Sequence, residues 1–335
     1  MMGNGEALAA ICRQFTDAPV TGIEAVSEGH INDTFFVKTP AVRYVLQRLQ
    51  RKMDPVKLLY NFELYAEVCE ANRLLYPKWM RNINGTYFYT DAEGQLWRMY
   101  PYINAETIQA PLTKEQLFVC GQGLGNLHQA LTGLAAEPKP VYPVLHDLAE
   151  YYARYRKLLA EGPLHAENRK AAIEEQIHER IGHFLAENVT AAIERGEQPP
   201  AQVKDSDSSD IRVIHGDAKL SNILFRDGSV VGMLDWDTVM TGSASEELAD
   251  CIRSCCVNRG SFDRAAADEL AAGYQSGMPG AEAVLSHLPK AFDKINFELA
   301  LRYYTDAVSK VKVFKERYPG YRLERVRELL GVTWR

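Results

Sequence analysis

The chain has 335 residues, of which 46% are hydrophobic and 24% charged, and its formal net charge is -6. This composition is typical of a globular protein and excludes a chain too polar to form a core. The acidic balance argues against a nucleic acid or an anionic membrane as the partner, because such surfaces attract basic proteins. A small-molecule partner is therefore expected, and the length predicts two lobes with a cleft between them.

The start of the chain, MMGNGEALAAICRQF, lacks the basic flank and apolar core of a secretory signal, and no apolar run is long enough to span a bilayer. We expect a cytoplasmic protein, a monomer or a homodimer, without a membrane partner. The six cysteines are predicted to be reduced, packed thiols. The segment CIRSCC at residues 251–256 has no C-x-x-C pair and no companion cluster, which argues against a zinc site.

The first hundred residues carry strand patterns around one helix. Apolar and polar residues alternate in INDTFFVKT and VRYVLQRLQ, with a turn at Pro40 between them. A helix is predicted from Asp54-Pro55 towards Pro77, and two more strands in TYFYTD and QLWRMYPYI. These patterns predict a small antiparallel α+β lobe at residues 1–103, which ends in a hinge at about 100–104.

Residues 104–335 are predicted to form a larger, mostly helical lobe. The segment PYINAETIQAP would connect the two lobes, and a helix follows in KEQLFVCGQGLGNLHQAL. Its GQGLGN imitates a dinucleotide-binding fingerprint but lacks the third glycine at the right spacing and a preceding strand. Close packing of helices is the predicted role of these glycines.

The most informative segment is IRVIHGDAKLSNILFRDGSVVGMLDWD at residues 211–237. A short strand leads into His215, Gly216 and Asp217, and two further strands are predicted to pair through a hairpin centred on Gly228 and Ser229. A register symmetric about this turn places Asn222 opposite Asp235. Their oxygens would converge on one cation, and hard oxygen ligands select Mg²⁺.

Asp217 lies in the loop beside this predicted ion. There its carboxylate can accept the proton of an attacking hydroxyl, while Lys219 can reach a γ-phosphate and offset its charge. The alternative is that these residues only occupy turns, where Asp and Asn are common. The spacing, the flanking strands and the hairpin together favour a phosphoryl-transfer site.

The pattern H-G-D-x-K-x-x-N, followed thirteen residues later by D-W-D, resembles the aminoglycoside phosphotransferase and choline kinase superfamily, relatives of protein kinases. A narrower resemblance, spread from about Gly29 to about Asp306, is to the N-acetylhexosamine 1-kinase branch. The segments that carry it are EGHINDTFFV, YVLQRLQ, WRMYPYI, MLDWDTVMTG and FELALRYYTD.

The resemblance implies an α+β, protein-kinase-like fold of two lobes, with the small sheet in one and the catalytic hairpin in the other. It also implies roles for individual residues. Asp217 would be the catalytic base, assisted by Lys219, and Asn222 and Asp235 would bind Mg²⁺. The nucleotide would be bound by Gly29, His30, Asn32, Thr34, Arg48, Tyr102 and Ile103, and the acceptor by Asp217, Asp237 and Arg302.

Some of these positions have alternatives. Gln47 and Arg48 point to opposite faces of a strand, so only one of them faces the cleft, and Arg48 is favoured. Either Glu63 or Glu67 would pair with Arg48, as a glutamate pairs with the phosphate-binding lysine of protein kinases. Glu298, Arg302 and Asp306 share one helical face, which without the resemblance indicates a solvated ion-pair ladder.

The predicted function is that of an ATP- and Mg²⁺-dependent kinase acting on the anomeric hydroxyl of an N-acetylhexosamine or a related sugar. An alternative keeps the fold and takes choline, homoserine, a methylthio-sugar or an aminoglycoside as acceptor. Glu246 and Glu247 leave room for such acceptors, because cationic ligands require carboxylates. A third hypothesis is a nucleotide-binding module without catalysis.

Overall fold

The computed structural model describes residues 4–26, 32–199, 209–314 and 316–335. The chain is of mixed α and β type. The helices are α1 (Asn4–Cys12), α2 (Pro55–Ala71), α3 (Lys114–Leu131), α4 (Leu148–Glu161), α5 (Ala171–Ile181), α6 (Glu187–Glu194), α7 (Ala244–Cys256), α8 (Arg264–Gly277), α9 (Glu282–Val308) and α10 (Tyr321–Leu330). The strands are β1 (Gly22–Ala25), β2 (Asp33–Lys38), β3 (Arg43–Arg48), β4 (Tyr89–Thr90), β5 (Leu96–Pro101), β6 (Ile211–Ile214), β7 (Ile223–Arg226), β8 (Ser229–Met233), β9 (Met240–Ser243), β10 (Val257–Asn258) and β11 (Ser261–Phe262).

An antiparallel five-stranded sheet with the order β1-β2-β3-β5-β4 forms the N-terminal part. The antiparallel sheet is predicted, but the prediction of a single helix is wrong, because α1 precedes the sheet, and β1 is an additional strand. Helix α2 begins at Pro55, where the side chain of Asp54 accepts a hydrogen bond from the Val56 amide at 2.9 Å. It ends at Ala71, earlier than the predicted break at Pro77.

The two faces of this sheet have different neighbours because side chains alternate along a strand. Leu46, Trp97 and Met99 pack with Cys12 of α1 in one apolar cluster. Val45 and Tyr100 belong to the larger core that includes α2 and the helical part of the chain. Among the described residues, only the second face packs against the helical part of the chain.

In the helical part, α3 and α8 approach closely through glycines. A Cβ atom on Gly121 would lie 1.9 Å from the carbonyl oxygen of Leu270, and one on Gly273 would lie 2.0 Å from that of Phe118. Either substitution would force the helices apart. The prediction that GQGLGN serves close helix packing is therefore confirmed.

The hairpin of β7 and β8 differs from the predicted one. Its turn is centred on Asp227 and Gly228, both with positive φ (50° and 74°), which is a type I′ arrangement that matches the twist of paired strands. Arg226 pairs with Ser229, and an irregularity between Leu224 and Phe225 shifts the register. The predicted register around Gly228 and Ser229 is wrong, because an Asp-Gly pair favours the I′ turn and a bulge takes up the extra residue.

The observed register places Asn222 opposite Leu234, whose amide donates to the Asn222 carbonyl at 2.8 Å. Asp235 follows one residue later. In the described ranges, no helix is both long and apolar enough to cross a membrane.

Candidate phosphoryl-transfer site

The loop between β6 and β7 begins at His215, and a buried carboxylate binds its first backbone amides. The oxygens of Glu247, on α7, accept hydrogen bonds from the amides of His215 and Gly216. Glu247 also binds His128 of α3, whose other ring nitrogen meets the Tyr274 hydroxyl at 2.7 Å. This network fixes the backbone just before Asp217.

Gly216 is required at its position. Its φ is 85°, and a Cβ atom there would lie 2.3 Å from the Thr238 carbonyl oxygen. The loop therefore packs directly on the segment that follows β8, and this contact brings Asp217 towards the second acidic motif.

Asp217, Lys219 and Asn222 are joined by hydrogen bonds. The carboxylate of Asp217 accepts from Lys219 Nζ at 2.5 Å and from Asn222 Nδ2 at 2.9 Å. Burial alone would lower the pKa of Lys219, but Asp217 and Asp235 raise it, so the ammonium group stays charged. Because the Asn222 amide nitrogen faces Asp217, its Oδ1 is the atom left for a cation.

Asp235 stands in a left-handed backbone conformation with φ 60°. Among the described residues, no group donates a hydrogen bond to its carboxylate. Burial, and then the negative charges of Asp237 and Asp217, raise its pKa to about 7. A carboxylate without a protein donor, beside two others, fits a site that a divalent cation completes. Asn222 and Asp235 are thus suited to Mg²⁺.

Asp237 links the sheet to the helical part of the chain. Its two oxygens accept from Arg98 at 2.6 and 2.8 Å, and Asn32 Nδ2 donates to one of them at 3.1 Å. The side chains of Arg98 and Asp237 are only 3% and 4% exposed. This corrects the prediction that Asp237 binds the acceptor, because its oxygens are occupied by protein donors.

The choice of Arg48 over Gln47 was wrong. Arg48 pairs across the strands with Trp97, on the sheet face that packs against α1, and its guanidinium binds Asp33. Gln47 lies opposite Arg98 and accepts from its Nε at 2.9 Å, while it donates to Thr34 at 3.2 Å. Because side chains alternate along the strand, Gln47 lies on the sheet face that packs against the helical part of the chain.

The predicted partners of Arg48 are also elsewhere. Glu63 and Glu67 lie on the exposed face of α2 and line a groove with Trp79 and Tyr87. The carboxylate that Arg48 does bind belongs to Asp33, on the neighbouring strand β2.

Of the other residues predicted to bind the nucleotide, some lie outside the described part of the chain and some lie at the end of β5. Gly29 and His30 lie outside the described residues. Tyr102 continues the sheet, since its amide donates to the Arg43 carbonyl at 2.8 Å, and its ring lies beneath the Arg43 guanidinium at 4.3 Å. The Ile103 carbonyl accepts from Ala105 at 2.9 Å, whereas its amide donates to no protein group in the described part of the chain.

Beside the catalytic loop lies a second polar group, which we call the acceptor-side cluster: His146, Tyr151, Glu298 and Arg302. His146 Nε2 is 3.3 Å from the Gly216 carbonyl oxygen, and its Nδ1 is 3.4 Å from Glu298. Arg302 is 3.7 Å from Glu298 and lies over the Tyr151 ring at 4.9 Å.

Charges in the acceptor-side cluster support each other. Burial alone would lower the pKa of His146, but Glu298 raises it to about 9. Glu298 is 2% exposed, and its Oε2 has no hydrogen-bond partner among the described residues. The solvated ion-pair ladder, the alternative to a role of Arg302 in acceptor binding, is not formed, because Asp306 is also buried and pairs with Arg322.

Arg98 and His146 have no assigned role in the sequence prediction. A signal for Arg98 was present, because a charged residue in the middle of the apolar strand LWRMYP is unusual. His146 follows no motif, and its position depends on contacts with α9. The sequence relates Glu246 and Glu247 only to a cationic acceptor. Glu246 instead binds Lys294, and Glu247 supports the catalytic loop.

A model of the phosphotransferase enzyme family matches residues 22–284 of the chain. A homoserine kinase of Methylobacterium nodulans is 24% identical over 290 residues, which cover 85% of this chain and 80% of the relative.

Two solved structures share the fold. The complex of amicoumacin kinase hAmiN with AMP-PNP, Ca²⁺ and Ami has a TM-score of 0.63 at 10% identity and covers 98% of this chain and 92% of its own. Choline kinase from Cryptosporidium parvum Iowa II has a TM-score of 0.60 at 14% identity, and the match covers 98% of this chain and 94% of the choline kinase chain. The α+β, kinase-like fold is thereby confirmed, and the chain belongs to the phosphotransferase enzyme family.

Proposed function

We propose that this protein transfers the γ-phosphate of ATP to a hydroxyl group of a small acceptor in a Mg²⁺-dependent reaction. The observation that carries the proposal is the joined group of Asp217, Lys219 and Asn222 next to the unpaired carboxylate of Asp235. Asp217 orients the acceptor hydroxyl and takes its proton, and Lys219 turns to the γ-phosphate.

Asn222 Oδ1 and the Asp235 carboxylate would hold the metal. Mg²⁺, when bound, neutralises charge on the phosphate oxygens. Arg98 and Asn32 bind Asp237, two residues after Asp235, and we call these three residues the Asp237 clamp. The clamp joins the sheet to the segment after the hairpin and keeps Asp235 in its left-handed conformation.

The nucleotide would lie between the sheet and the hairpin, with the lobes divided at about residue 103. The segment of residues 29–34 would cover the phosphates, and Thr34 is positioned there by Gln47. At the hinge, the Tyr102 amide already donates to the Arg43 carbonyl oxygen. The Ile103 amide, which has no protein acceptor in the described part of the chain, would therefore donate to the adenine.

For the acceptor we propose an N-acetylhexosamine or a related sugar, phosphorylated on its anomeric hydroxyl. The segments GHINDT and FELALRYYTD support this assignment through their resemblance to that branch of kinases. The acceptor-side cluster is chemically suitable, since Glu298 Oε2 can accept from one sugar hydroxyl and the Arg302 fork can donate to two neighbouring oxygens.

Homoserine is the second candidate. It is favoured by the name of the relative from Methylobacterium nodulans and by the mixed charges of the acceptor-side cluster. A zwitterionic acceptor would place its ammonium group near Glu298 and its carboxylate near Arg302 and His146.

Coupled ADP release, measured over N-acetylhexosamines, simple hexoses, homoserine, choline and aminoglycosides, separates these candidates. A sugar kinase releases ADP with the hexosamines and not with homoserine. Activity with homoserine alone overturns the sugar assignment and leaves the kinase assignment intact.

Asp217→Asn tests the chemistry itself. It should lower kcat by about two to four orders of magnitude while ATP binding persists. Asp268→Asn, at an exposed site on α8 away from the proposed nucleotide and acceptor positions, serves as the matched control. Unchanged turnover in Asp217→Asn would remove Asp217 from its role as the base.

A further inference from the structure

Three cysteine thiols meet in the interior between α3 and α7. The Sγ atom of Cys120 is 3.9 Å from that of Cys251 and 4.0 Å from that of Cys255. All three atoms lie within 4.8 Å of one another, and the residues are 0%, 0% and 6% exposed. In the part of the chain that the structure describes, no other set of three His, Cys, Asp or Glu ligand atoms is so compact.

The dimensions of this triangle match a metal site. Two sides of the triangle are 3.9 and 4.0 Å and the third is at most 4.8 Å, so its centre lies about 2.3 to 2.5 Å from each sulfur atom, close to the ~2.3 Å length of a metal–thiolate bond. Two of the ligands, Cys251 and Cys255, are one helical turn apart on α7, and the third comes from α3. The helices need not move for three sulfur atoms to reach one ion.

We propose that Cys120, Cys251 and Cys255 form a binding site for one soft metal ion of the copper(I) class. Soft thiolate ligands select Cu(I), whereas structural Zn²⁺ requires four ligands in a tetrahedron. The compact set in the described residues has three members and not four. Each thiol that binds the ion releases its proton to solvent, so the affinity rises with pH.

The site is connected to the catalytic loop through α7. The Leu220 amide, in the loop, donates to Ser254 Oγ at 2.8 Å, and that oxygen is 3.9 Å from the Cys255 sulfur. Glu247, one turn before Cys251, holds His215. A bound ion fixes α3 to α7 and thereby restrains the loop that carries Asp217.

Sequence alone could not suggest this set, because Cys120 lies 131 residues before Cys251. The segment CIRSCC supplies two of the ligands without a C-x-x-C spacing. The inference does not depend on the acceptor or on the kinase activity.

The test is anaerobic titration of the reduced, full-length protein with Cu(I) in competition with a chromophoric chelator. One ion per chain is expected, with a thiolate-to-copper absorption band in the ultraviolet and a higher melting temperature on saturation. Cys251→Ala should weaken binding by roughly a hundredfold. Cys120→Ala, on the other helix, provides a second variant if the first does not fold.

Cys12→Ala and Cys69→Ala are the matched controls, because each removes one fully buried thiol outside the triangle. Both should bind Cu(I) as the wild type does. Equal affinity of the wild type and both triangle variants would show adventitious binding only and overturn the site. Tighter binding of Zn²⁺ than of Cu(I) would overturn the metal assignment.

Discussion

The catalytic loop and the acceptor-side cluster lie next to each other but differ in how completely their polar atoms are paired. Around the loop, Glu247 binds two backbone amides and His128, and Asp217 binds Lys219 and Asn222. In the acceptor-side cluster, Glu298 Oε2 is buried and has no hydrogen-bond partner among the described residues.

The polar groups named around the loop are thus paired within the protein, whereas Glu298 Oε2 of the acceptor-side cluster is not. A buried polar atom without a partner costs about 1–3 kcal/mol, so such atoms persist where a ligand pairs with them. We therefore expect the loop to keep its conformation without a ligand, and we propose that a substrate completes the acceptor-side cluster. Mutations around the loop should therefore affect stability. Mutations in the acceptor-side cluster should affect acceptor recognition and, at the charged pair of His146 and Glu298, stability as well.

The largest expected effect on stability is that of Asp237→Ala. It leaves the buried charge of Arg98 without its partner, which should lower the free energy of unfolding by about 3–5 kcal/mol. Urea unfolding measures this difference. The control is Asp33→Ala, which breaks the exposed pair with Arg48 and should cost less than about 1 kcal/mol. Equal losses of unfolding free energy in Asp237→Ala and Asp33→Ala would contradict a stabilising role of the buried pair of Arg98 and Asp237.

The next effect depends on pH. The pKa of His146 is raised from its ordinary 6.5 to about 9 by Glu298, so the stabilisation is complete below pH 6.5 and is lost as pH rises through about 9. The difference in unfolding free energy between the wild type and His146→Gln should fall by on the order of 2–3 kcal/mol over this range.

Glu298→Gln is the control for this titration. It removes the charge that raises the pKa of His146, so the inflection should move towards pH 6.5. A pH-independent difference in both backgrounds would show that His146 and Glu298 do not form a charged pair.

The smallest effect is expected at Arg48. Its exposed pair and its position on the α1 face of the sheet predict that Arg48→Ala changes the unfolding free energy by less than about 1 kcal/mol and leaves the KM for ATP unchanged. Gln47→Ala should cost about 1–2 kcal/mol, because it removes a hydrogen bond to the buried charge of Arg98. A tenfold rise of the KM for ATP in Arg48→Ala would restore the predicted role of Arg48.

Local patterns allowed much of this fold to be predicted. The predicted short strand before His215 is present as β6 and the two predicted hairpin strands as β7 and β8, and the packing role of GQGLGN follows from the glycine spacing. The register of the hairpin could not be predicted, because Asp227-Gly228 and Gly228-Ser229 are both acceptable turns and only the bulge distinguishes them.

Contacts between distant segments account for what the sequence did not reveal. Arg98 is 139 residues from Asp237, and the choice between Gln47 and Arg48 depends on which sheet face α1 covers. His146 reaches the loop from the start of α4, where no motif marks it. Such pairs depend on tertiary packing and leave no short-range signal.

The most direct measurement is calorimetric titration of ATP with and without Mg²⁺, for the wild type and for Asp235→Asn. We predict that Mg²⁺ tightens ATP binding to the wild type at least tenfold and that Asp235→Asn loses most of this gain, since the substitution removes the negative charge of the only proposed carboxylate ligand of the ion. Equal ATP affinity of the wild type with and without Mg²⁺ would contradict a metal-assisted kinase site built from Asn222 and Asp235.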